Sequence, residues 1–361
     1  MNEKISSMQF GLLFFSFVGA TIILIVPGVM VSFAKQDAWI SVFPASISGV
    51  VCILIMTALA NRYPGLTITQ YGSRIVGKWL GKCLGLYYLF FLFLFISQTV
   101  NNHIEFVSSV LLPESPSLVI ILALLVICCL TVRGGIEVIG RCTEFLIPII
   151  ILFLIPLFIL ALKDSDPGQL KPLLARGLLP VLQGAIVPTA WMSQFFFFGW
   201  LIPFLNQPEK ARRISLIALG GVIILMVIID VLTIMVFGPV TDKLSFPFLS
   251  VIQYIGIQGS FERLEAFAVS MWMMGIFLKA SVLLFIFCLH ISHLFELQDY
   301  RKFMIPVTLL SVIGSVWVST NAAELNDFLT FTYPVMGLVN QTLIPLLLLI
   351  IDVLKKKHSL L

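Results

Sequence analysis

The sequence contains little charge. Only 11% of its 361 residues are Asp, Glu, Lys or Arg, against about 25% in a typical soluble domain. Hydrophobic residues make up 59% of the chain, above the roughly 45–50% of soluble proteins. This balance excludes a soluble globular domain and predicts a membrane protein that crosses the bilayer many times. The net charge of +4 is spread over both sides of the membrane, and we expect no nucleic-acid partner.

Reactive side chains in catalytic arrangements are also scarce. The sequence has no nucleophile–base pair, no phosphate-binding glycine loop and no cluster with metal-ligand spacing. Its cysteines lack a CxxC pair, as expected of buried free thiols, and stand at Cys52, Cys83, Cys128, Cys129, Cys142 and Cys288. The histidines are isolated from one another, at His103, His290, His293 and His358. We therefore expect no enzymatic activity and neither a cofactor nor a metal.

Long apolar runs dominate the chain. About twenty apolar residues cross a bilayer, and this measure predicts ten spans. They run over residues 9–33, 38–60, 84–112, 117–132, 142–162, 181–205, 214–238, 264–291, 303–319 and 329–352. With both termini in the cytoplasm, most Lys and Arg residues fall on the inner side, as the positive-inside rule requires. The N-terminal MNEKISSMQF leads into a long span without a small-residue cleavage site, so we expect no removed signal peptide.

The ten spans form a single domain of residues 1–361 that divides into two five-span repeats, about 9–162 and 181–352. The first span of each repeat contains a break signal, at Gly19-Ala20-Thr21 before Pro27-Gly28, and at Gly199 before Pro203. Paired interruptions indicate a ligand site at mid-membrane between inverted repeats, because freed backbone groups there can bind ligands. The alternative is that these glycines and prolines are kinks or packing points.

Two connections have helical patterns. Residues 63–82 are too polar to span and place apolar side chains on one helical face, which predicts a helix along the inner membrane surface. The face comprises Leu66, Ile68, Tyr71, Ile75, Trp79 and Leu80. Residues 246–261 predict an outer loop helix between Pro247 and Gly259 that caps a cavity. Surface packing without a role in binding is the alternative for both.

The third span has a polar stripe at Gln98, Asn101, Asn102 and Glu105. Their i, i+3, i+4, i+7 spacing puts them on one helical face. A charge in the membrane is costly, so Glu105 must face protein or water. The stripe is a candidate for binding a ligand ammonium or lining an ion path. The alternative is structural hydrogen bonding to neighbouring helices.

The sixth span supplies aromatic candidates for the same site. Phe197, Phe198 and Trp200 surround Gly199, and rings beside an unwound turn can form an apolar wall or stack on an ammonium. Core or lipid-facing packing is the alternative for this phenylalanine run. At the first-span break, the amides of Gly19, Ala20 and Thr21 would begin a half-helix whose positive end suits a carboxylate. Thr330, Thr332 and Tyr333 in the tenth span are further candidates for cavity lining.

Several stretches resemble the B-subunit of the spore germinant receptor, in the spore germination branch of the amino acid–polyamine–organocation superfamily. They are YPGLTITQYGSRIVGKWLG, GGIEVIGRCTEFLIP, LKPLLARGLLPVLQG and FPFLSVIQYIGIQGSFERLEAFAVSMWMMGIFLK. The resemblance implies an all-α fold similar to the bacterial leucine transporter, with interrupted helices 1 and 6. It also implies a multi-pass protein of the spore inner membrane that senses small nutrients beside an A-subunit and a lipoprotein C-subunit.

Lys279 lies inside the eighth span. In sodium-coupled proteins of this fold, the first and eighth helices contribute a cation site. The resemblance therefore implies that the Lys279 ammonium replaces the sodium, with Glu105 as the second candidate for ion coupling. The alternative is a permanent ion pair with Glu105 or Asp230 that holds the bundle together.

These observations favour a membrane subunit of a germinant receptor that binds a small nutrient, an amino acid, between the first, third, sixth and eighth helices. The competing function is an amino acid permease coupled to protons or sodium. A third possibility is a scaffold with a vestigial pocket. All three share one fold, so they must be separated by experiment.

Overall fold

The computed structural model describes residues 3–257, 264–319 and 321–358. These residues are almost entirely helical and form no β-strand, only an isolated bridge between Ile5 and Leu205. The α-helices, in chain order, are α1 Ser7–Ala34, α2 Val42–Arg62, α3 Ile68–Val76, α4 Lys78–Val110, α5 Ser117–Arg133, α6 Ile136–Lys163, α7 Leu179–Gly184, α8 Ile186–Met192, α9 Phe198–Leu201, α10 Ala211–Phe237, α11 Pro247–Ile257, α12 Leu264–Leu294, α13 Met304–Trp317, α14 Ala322–Asp327, α15 Tyr333–Gly337 and α16 Ile344–His358.

Seven segments of the described chain are long and apolar enough to cross a membrane. The first, Ser7–Arg62, contains both α1 and α2, joined by the 3₁₀ turn Lys35–Ser41. The predicted fourth and ninth spans correspond to shorter helices, α5 with 17 residues and α13 with 14. Each of the ten predicted spans therefore coincides with a helical segment. At 1.5 Å per residue, α13 is about 21 Å long, shorter than a hydrocarbon core of about 30 Å.

The first span is one continuous α-helix, so the predicted break at Gly19, Ala20 and Thr21 is wrong. The small residues of α1 instead allow close helix packing, which was the alternative interpretation. A side chain at Gly11 would place its Cβ 2.9 Å from Ile214 of α10. Pro27 lies inside the helix and removes a single hydrogen bond, which packing against the surrounding helices compensates.

The sixth span is interrupted, as predicted, but the irregularity begins before Gly199. The α-helix ends at Met192 and continues as the 3₁₀ turn Ser193–Phe197. One α-helical turn, α9, follows, and a second 3₁₀ turn runs over Ile202–Phe204. All residues from 193 to 202 are buried, so protein rather than lipid surrounds the irregular backbone. A stretch of 3₁₀ helix inside a span frequently marks a functional hinge.

Helices α1 and α12 form the centre of the bundle, and most of their residues are buried. Helices α5, α6 and α13 lie at the periphery and expose large apolar side chains such as Leu130, Phe145 and Ile313. An apolar outer surface around a packed interior is what a lipid solvent requires.

The connection after α2 is only partly as predicted. Helix α3 buries Ile68, Tyr71 and Ile75 on one face, as the pattern indicates. Trp79, however, is 85% exposed, and Leu80 is also exposed. The helix ends at Gly77, whose φ of +93° breaks the helical register, and α4 begins in a new direction. The predicted face therefore divides between two helices.

The N-terminal residues hold the C-terminal end of the broken sixth span. The backbone of Ile5 donates to the Phe204 carbonyl at 2.9 Å and accepts from Asn206 N at 3.0 Å. Lys4 Nζ donates to the Pro203 carbonyl at 2.8 Å, which covers a carbonyl left free at the end of the helix. Glu3 Oε1 accepts from Arg301 Nη2 at 2.6 Å, before α13. This N-terminal clamp (residues 3–5) joins the end of the sixth span to the region preceding α13.

A second clamp joins α2 to the last helix. Arg62 Nε and the Tyr63 hydroxyl both donate to the carboxylate of Asp352 in α16. Burial, followed by the hydrogen bond to Asp352, raises the pKa of Tyr63 to about 12. Tyr63 therefore remains a hydrogen-bond donor at neutral pH.

Candidate functional site

A buried lysine lies where α1, α12 and the sixth span meet. The Lys279 side chain is 2% exposed. Its Nζ donates to Thr21 Oγ1 at 2.6 Å and to Gln194 Oε1 at 2.9 Å. It also lies 4.9 Å from the ring centroid of Phe17 and 5.6 Å from that of Phe95, within the range of a cation–π interaction. We call Lys279 and these four neighbours the lysine cluster. It is the candidate functional site.

The 3₁₀ turn of the sixth span orients the glutamine of this cluster. Gln194 lies in that turn, and its Nε2 donates to the Tyr333 hydroxyl at 2.7 Å. That hydroxyl donates to the Ala190 carbonyl at 3.1 Å and accepts from Gln341 Nε2 at 3.3 Å. Ser193 Oγ in turn donates to Gln341 Oε1 at 2.7 Å. The network fixes Gln194 with its oxygen towards Lys279.

The last span reaches this network through irregular backbone. Two π-helical turns, Phe328–Thr332 and Leu338–Leu343, flank α15. Such widened turns are frequent at functional sites. They bring Tyr333 and Gln341 to the sixth span. Tyr333, a candidate for cavity lining from the sequence, lines a polar cavity beside the lysine cluster.

A small polar cavity adjoins the lysine cluster, with about 30 Å³ of free space, enough for about one or two water molecules. Its lining combines aromatic rings, amides, hydroxyls and one ammonium. The lining residues are Thr21, Phe95, Gln98, Thr99, Asn102, Trp191, Gln194, Lys279, Phe328, Leu329, Tyr333 and Met336. Gln98 is 7% exposed and Asn102 5%. Both amide atoms of Gln98, and Oδ1 of Asn102, have no hydrogen-bond partner among the described residues.

The polar stripe of α4 divides between two neighbours. Gln98 and Asn102 line the polar cavity. Asn101 Nδ2 instead donates to the carbonyls of Ser315 at 2.9 Å and Ser319 at 3.2 Å. Because each residue advances about 100° around the helix, Asn101 lies about 60° from Gln98 and about 100° from Asn102. For Asn101 the structural alternative is therefore correct. Glu105 is half-buried and does not line the cavity.

The ion pair that was the alternative interpretation of Lys279 is not formed among the described residues. Among the described residues neither Glu105 nor Asp230 lies within ion-pair distance of Lys279. Asp230 is fully buried in α10, and both its carboxyl oxygens lack a hydrogen-bond partner there. The contacts of Lys279 are with Thr21 of the first helix and Gln194 of the sixth, so its ammonium bridges two helices through neutral oxygens.

A second cavity, mainly apolar, lies on another face of α1 and has about 70 Å³ of free space. Gly19 and Ala20 line this cavity, whereas Thr21 lines the polar one. Because α1 is continuous, the amides of these three residues belong to the helix and do not form the predicted carboxylate site. The complete lining is Phe15, Ser16, Gly19, Ala20, Ile23, Leu24, Phe106, Ile147, Ile150, Leu154, Leu225, Phe248, Leu249, Ala268, Met271, Trp272 and Gly275.

The outer loop helix contributes to this apolar cavity. Phe248 and Leu249 of α11 are part of its lining, in agreement with the prediction that this helix covers a cavity. Residues 258–261 of the predicted helix, and Glu262 and Arg263 after it, lie outside the described residues. A Cβ on Gly275 would lie 2.9 Å from Ala20 Cβ. This close crossing of α12 and α1 lies between the two cavities.

The aromatic candidates of the sixth span are packed in the core, and none of them lines either cavity. The ring centroid of Phe197 lies 4.7 Å from that of Phe95, and Phe198 lies 5.6 Å from Phe14. Trp200 Nε1 donates to Thr69 Oγ1 at 2.9 Å, near His290. A Cβ on Gly199 would clash with Met56 Cε. Phe197 therefore packs against Phe95, a lining residue of the polar cavity, and Phe198 and Trp200 pack elsewhere in the core.

The fold and the site together define the class of protein. An interrupted span beside polar groups buried in the bundle is characteristic of secondary transporter folds. The structure is similar to that of MHP1, a nucleobase-cation-symport-1 family transporter in a closed conformation with bromovinylhydantoin bound. The TM-score is 0.68, over 93% of this chain and 76% of that one, at 15% identity. This likeness confirms the predicted leucine-transporter-like fold class.

Sequence relatives identify the family. The family model described as "Spore germination protein" matches residues 4–323, and the chain belongs to that family. It is 28% identical to spore germination protein KB of Bacillus subtilis, over 99% of this chain and 96% of the relative. It is 26% identical to spore germination protein YndE of the same organism, over 82% of each chain. Spore germination protein XB of Bacillus anthracis is 22% identical over 91% of each. These relatives support the predicted germinant-receptor subunit.

Proposed function

We propose that the polar cavity is the germinant site of this subunit and that the germinant is an amino acid. One observation carries the proposal. Gln98 and Asn102 line a cavity that Lys279 also lines, and three of their amide atoms have no hydrogen-bond partner among the described residues. An unpartnered buried polar group costs about 1–3 kcal/mol. A small polar ligand that bonds these atoms therefore recovers free energy that the empty bundle lacks.

Binding acts on the rest of the receptor through a shift between two arrangements of the bundle. The cavity holds only about one or two waters, so its walls must move to admit an amino acid. The 3₁₀ turn Ser193–Phe197 is the candidate hinge, since Gln194 lies in it. A tenfold preference of the ligand for one arrangement supplies about 1.4 kcal/mol to this shift.

The proposed setting is the spore inner membrane, with both termini in the cytoplasm. The distribution of Lys and Arg along the sequence supports this orientation. The proposed partners are the A-subunit and the lipoprotein C-subunit of the receptor, with membrane lipid around the apolar surfaces of α5, α6 and α13. Membership of the spore germination protein family supports the location and the partners.

A permease for amino acids is the second candidate function. The observation in its favour is the similarity to a transporter of the same fold. Uptake of labelled amino acids by proteoliposomes that contain the full chain separates the two functions, since a receptor needs binding without net movement. Accumulation above that of protein-free vesicles would favour the permease.

The experiment for the site is the germinant dose response of spores that carry Gln98→Met, with the amount of receptor checked by immunoblot. We expect the midpoint to rise at least about tenfold, since losing the hydrogen bonds of one amide is worth about 1.4 kcal/mol or more. The control is Gln253→Met at an exposed position of α11, which should leave the curve unchanged. An unchanged midpoint for Gln98→Met at equal protein would contradict the proposed location.

A further inference from the structure

We infer that Lys279 is the carboxylate-binding residue of the germinant site, so that the ligand must carry a carboxylate and its amine is secondary. This inference rests on the proposed function and names the chemical class of its ligand. It moves the carboxylate from the amides of Gly19, Ala20 and Thr21, where the sequence places it, to the side chain of α12.

The ammonium of Lys279 does not use all of its hydrogen-bond donors. A lysine ammonium has three donors and accepts no hydrogen bond. The described residues accept from Lys279 through Thr21 Oγ1 and Gln194 Oε1, and the faces of Phe17 and Phe95 lie nearby. One donor therefore remains for a ligand in the adjoining cavity.

Lys279 also lacks a counter-charge among the described residues. A cation inside the membrane is expensive and is normally paired. Lys279 forms no ion pair with any described carboxylate, and the lining of the polar cavity contains no Asp or Glu. A bound carboxylate would supply the missing counter-charge, and attraction at low dielectric offsets the cost of its desolvation. A cationic ligand without a carboxylate would meet a like charge instead.

The opposite end of the ligand would meet side chains of α4. The unpartnered atoms on α4 are Gln98 Oε1, Gln98 Nε2 and Asn102 Oδ1. The two oxygens can accept from an ammonium, but they are neutral, so they also accept from water or a hydroxyl. The charged contact therefore lies at Lys279 and the uncharged contacts lie on α4. This asymmetry makes the acid group obligatory and the amine replaceable.

The test uses the purified full chain in detergent and the twenty L-amino acids, each compared with its own carboxamide. Binding is followed through the melting temperature as a function of ligand concentration. We expect at least one amino acid to stabilise the protein, and its carboxamide to bind at least about tenfold more weakly. The deaminated acid of the same side chain should retain measurable binding.

The possible outcomes separate the inference from the proposed function. Equal binding of an amino acid and its carboxamide would overturn the role of Lys279 and leave the germinant site in place. If no amino acid stabilises the protein at any concentration tested, the proposed function itself fails, and the inference fails with it.

Variants supply the second readout. Lys279→Met keeps an unbranched side chain one atom shorter and removes the ammonium, so the acid should lose about tenfold in affinity and approach its carboxamide. Lys82→Met, at an exposed position of α4, is the matched control and should keep the preference for the acid. If Lys279 has only a packing role, its variant would lower stability and weaken acid and carboxamide alike. Thr21→Val provides an independent test should Lys279→Met not fold. It removes one acceptor beside the ammonium, and a change in the acid-to-carboxamide ratio is expected.

Discussion

At the scale of single residues, placing a side chain in the correct span does not establish that it lines the site. Gln98 and Asn102 could be selected from sequence because their spacing along one helix is a local property. The positions of Phe197 and Trp200 could not be found in this way. Their direction depends on the 3₁₀ turn that precedes them, and the sequence shows only that a break occurs nearby.

Trp200 tests this distinction. We expect Trp200→Phe to lower the stability of the protein by about 1–3 kcal/mol, because it removes the indole N–H that donates to Thr69 Oγ1 and leaves a smaller ring in a fully buried position. Since Trp200 lines neither cavity, the midpoint of the germinant response should not change at equal protein. Thermal unfolding of the purified chain and a spore dose response provide the two measurements. Trp79→Phe, at an exposed position, is the control. A shifted midpoint with unchanged stability would return Trp200 to the site.

At the scale of elements, the crossing of α1 and α12 determines where the lysine cluster lies. Glycine and proline in α1 indicate a break when read as local propensities, yet the helix is continuous. Close packing against its neighbours outweighs those propensities. The break in the sixth span was predictable because Gly199 and Pro203 follow one another within one short stretch. Its starting point at Ser193 has no comparable signal in the sequence.

Gly275 and Gly19 make a matched pair, because Gly275 lies at the crossing of α12 with α1 and Gly19 faces α10. A Cβ on Gly275 would lie 2.9 Å from Ala20 Cβ, whereas a Cβ on Gly19 would lie 3.6 Å from Leu225, an ordinary contact. Gly275→Ala should therefore separate α12 from α1 at a cost of about 1–3 kcal/mol. It should also raise the germinant midpoint, because Lys279 follows one turn later. Gly19→Ala should be neutral in melting temperature and dose response. Similar behaviour of the two variants would mean that the crossing is not under steric constraint.

The N-terminal clamp acts at the same scale. Arg301, which is not part of the clamp, donates to Glu3. Because this ion pair is partly exposed, its contribution to the free energy of unfolding should be about 1 kcal/mol or less. We expect Arg301→Gln to speed hydrogen exchange at the amides of Ile5 and Asn206, whose hydrogen bonds close the clamp. Peptide-resolved exchange in detergent measures this effect, and Arg212→Gln, on the exposed side of α10, should leave it unchanged. Unaltered exchange in Arg301→Gln would show that the backbone bonds alone maintain the clamp.

At the scale of the whole molecule, the order and number of helical segments follow from hydropathy, since lipid requires about twenty apolar residues per crossing. The contacts that close the site connect distant parts of the chain. Gln341 reaches Ser193 and Tyr333 through two π-helical turns in the last span. Lys279 could be recognised as unusual because a charge stands inside a span. Its partners could not be named, because the neutral Thr21 and Gln194 carry no charge pattern.

The position of this lysine also bears on whether the molecule uses ions. A cation that is part of the protein cannot dissociate and cross the membrane with a ligand, as a bound sodium ion can. Lys279 already donates to oxygens of the first and sixth helices, and a sodium ion beside it would face a like charge.

We therefore expect amino acid binding to the purified chain to be the same in sodium chloride and in choline chloride. An inward sodium gradient should likewise produce no uptake into proteoliposomes. Sodium-dependent binding or uptake would show that a second cation site exists and that the ammonium does not take its place. In Lys279→Met, by contrast, the like charge is absent, so a gain of sodium dependence in this variant alone would support the substitution of one cation by the other.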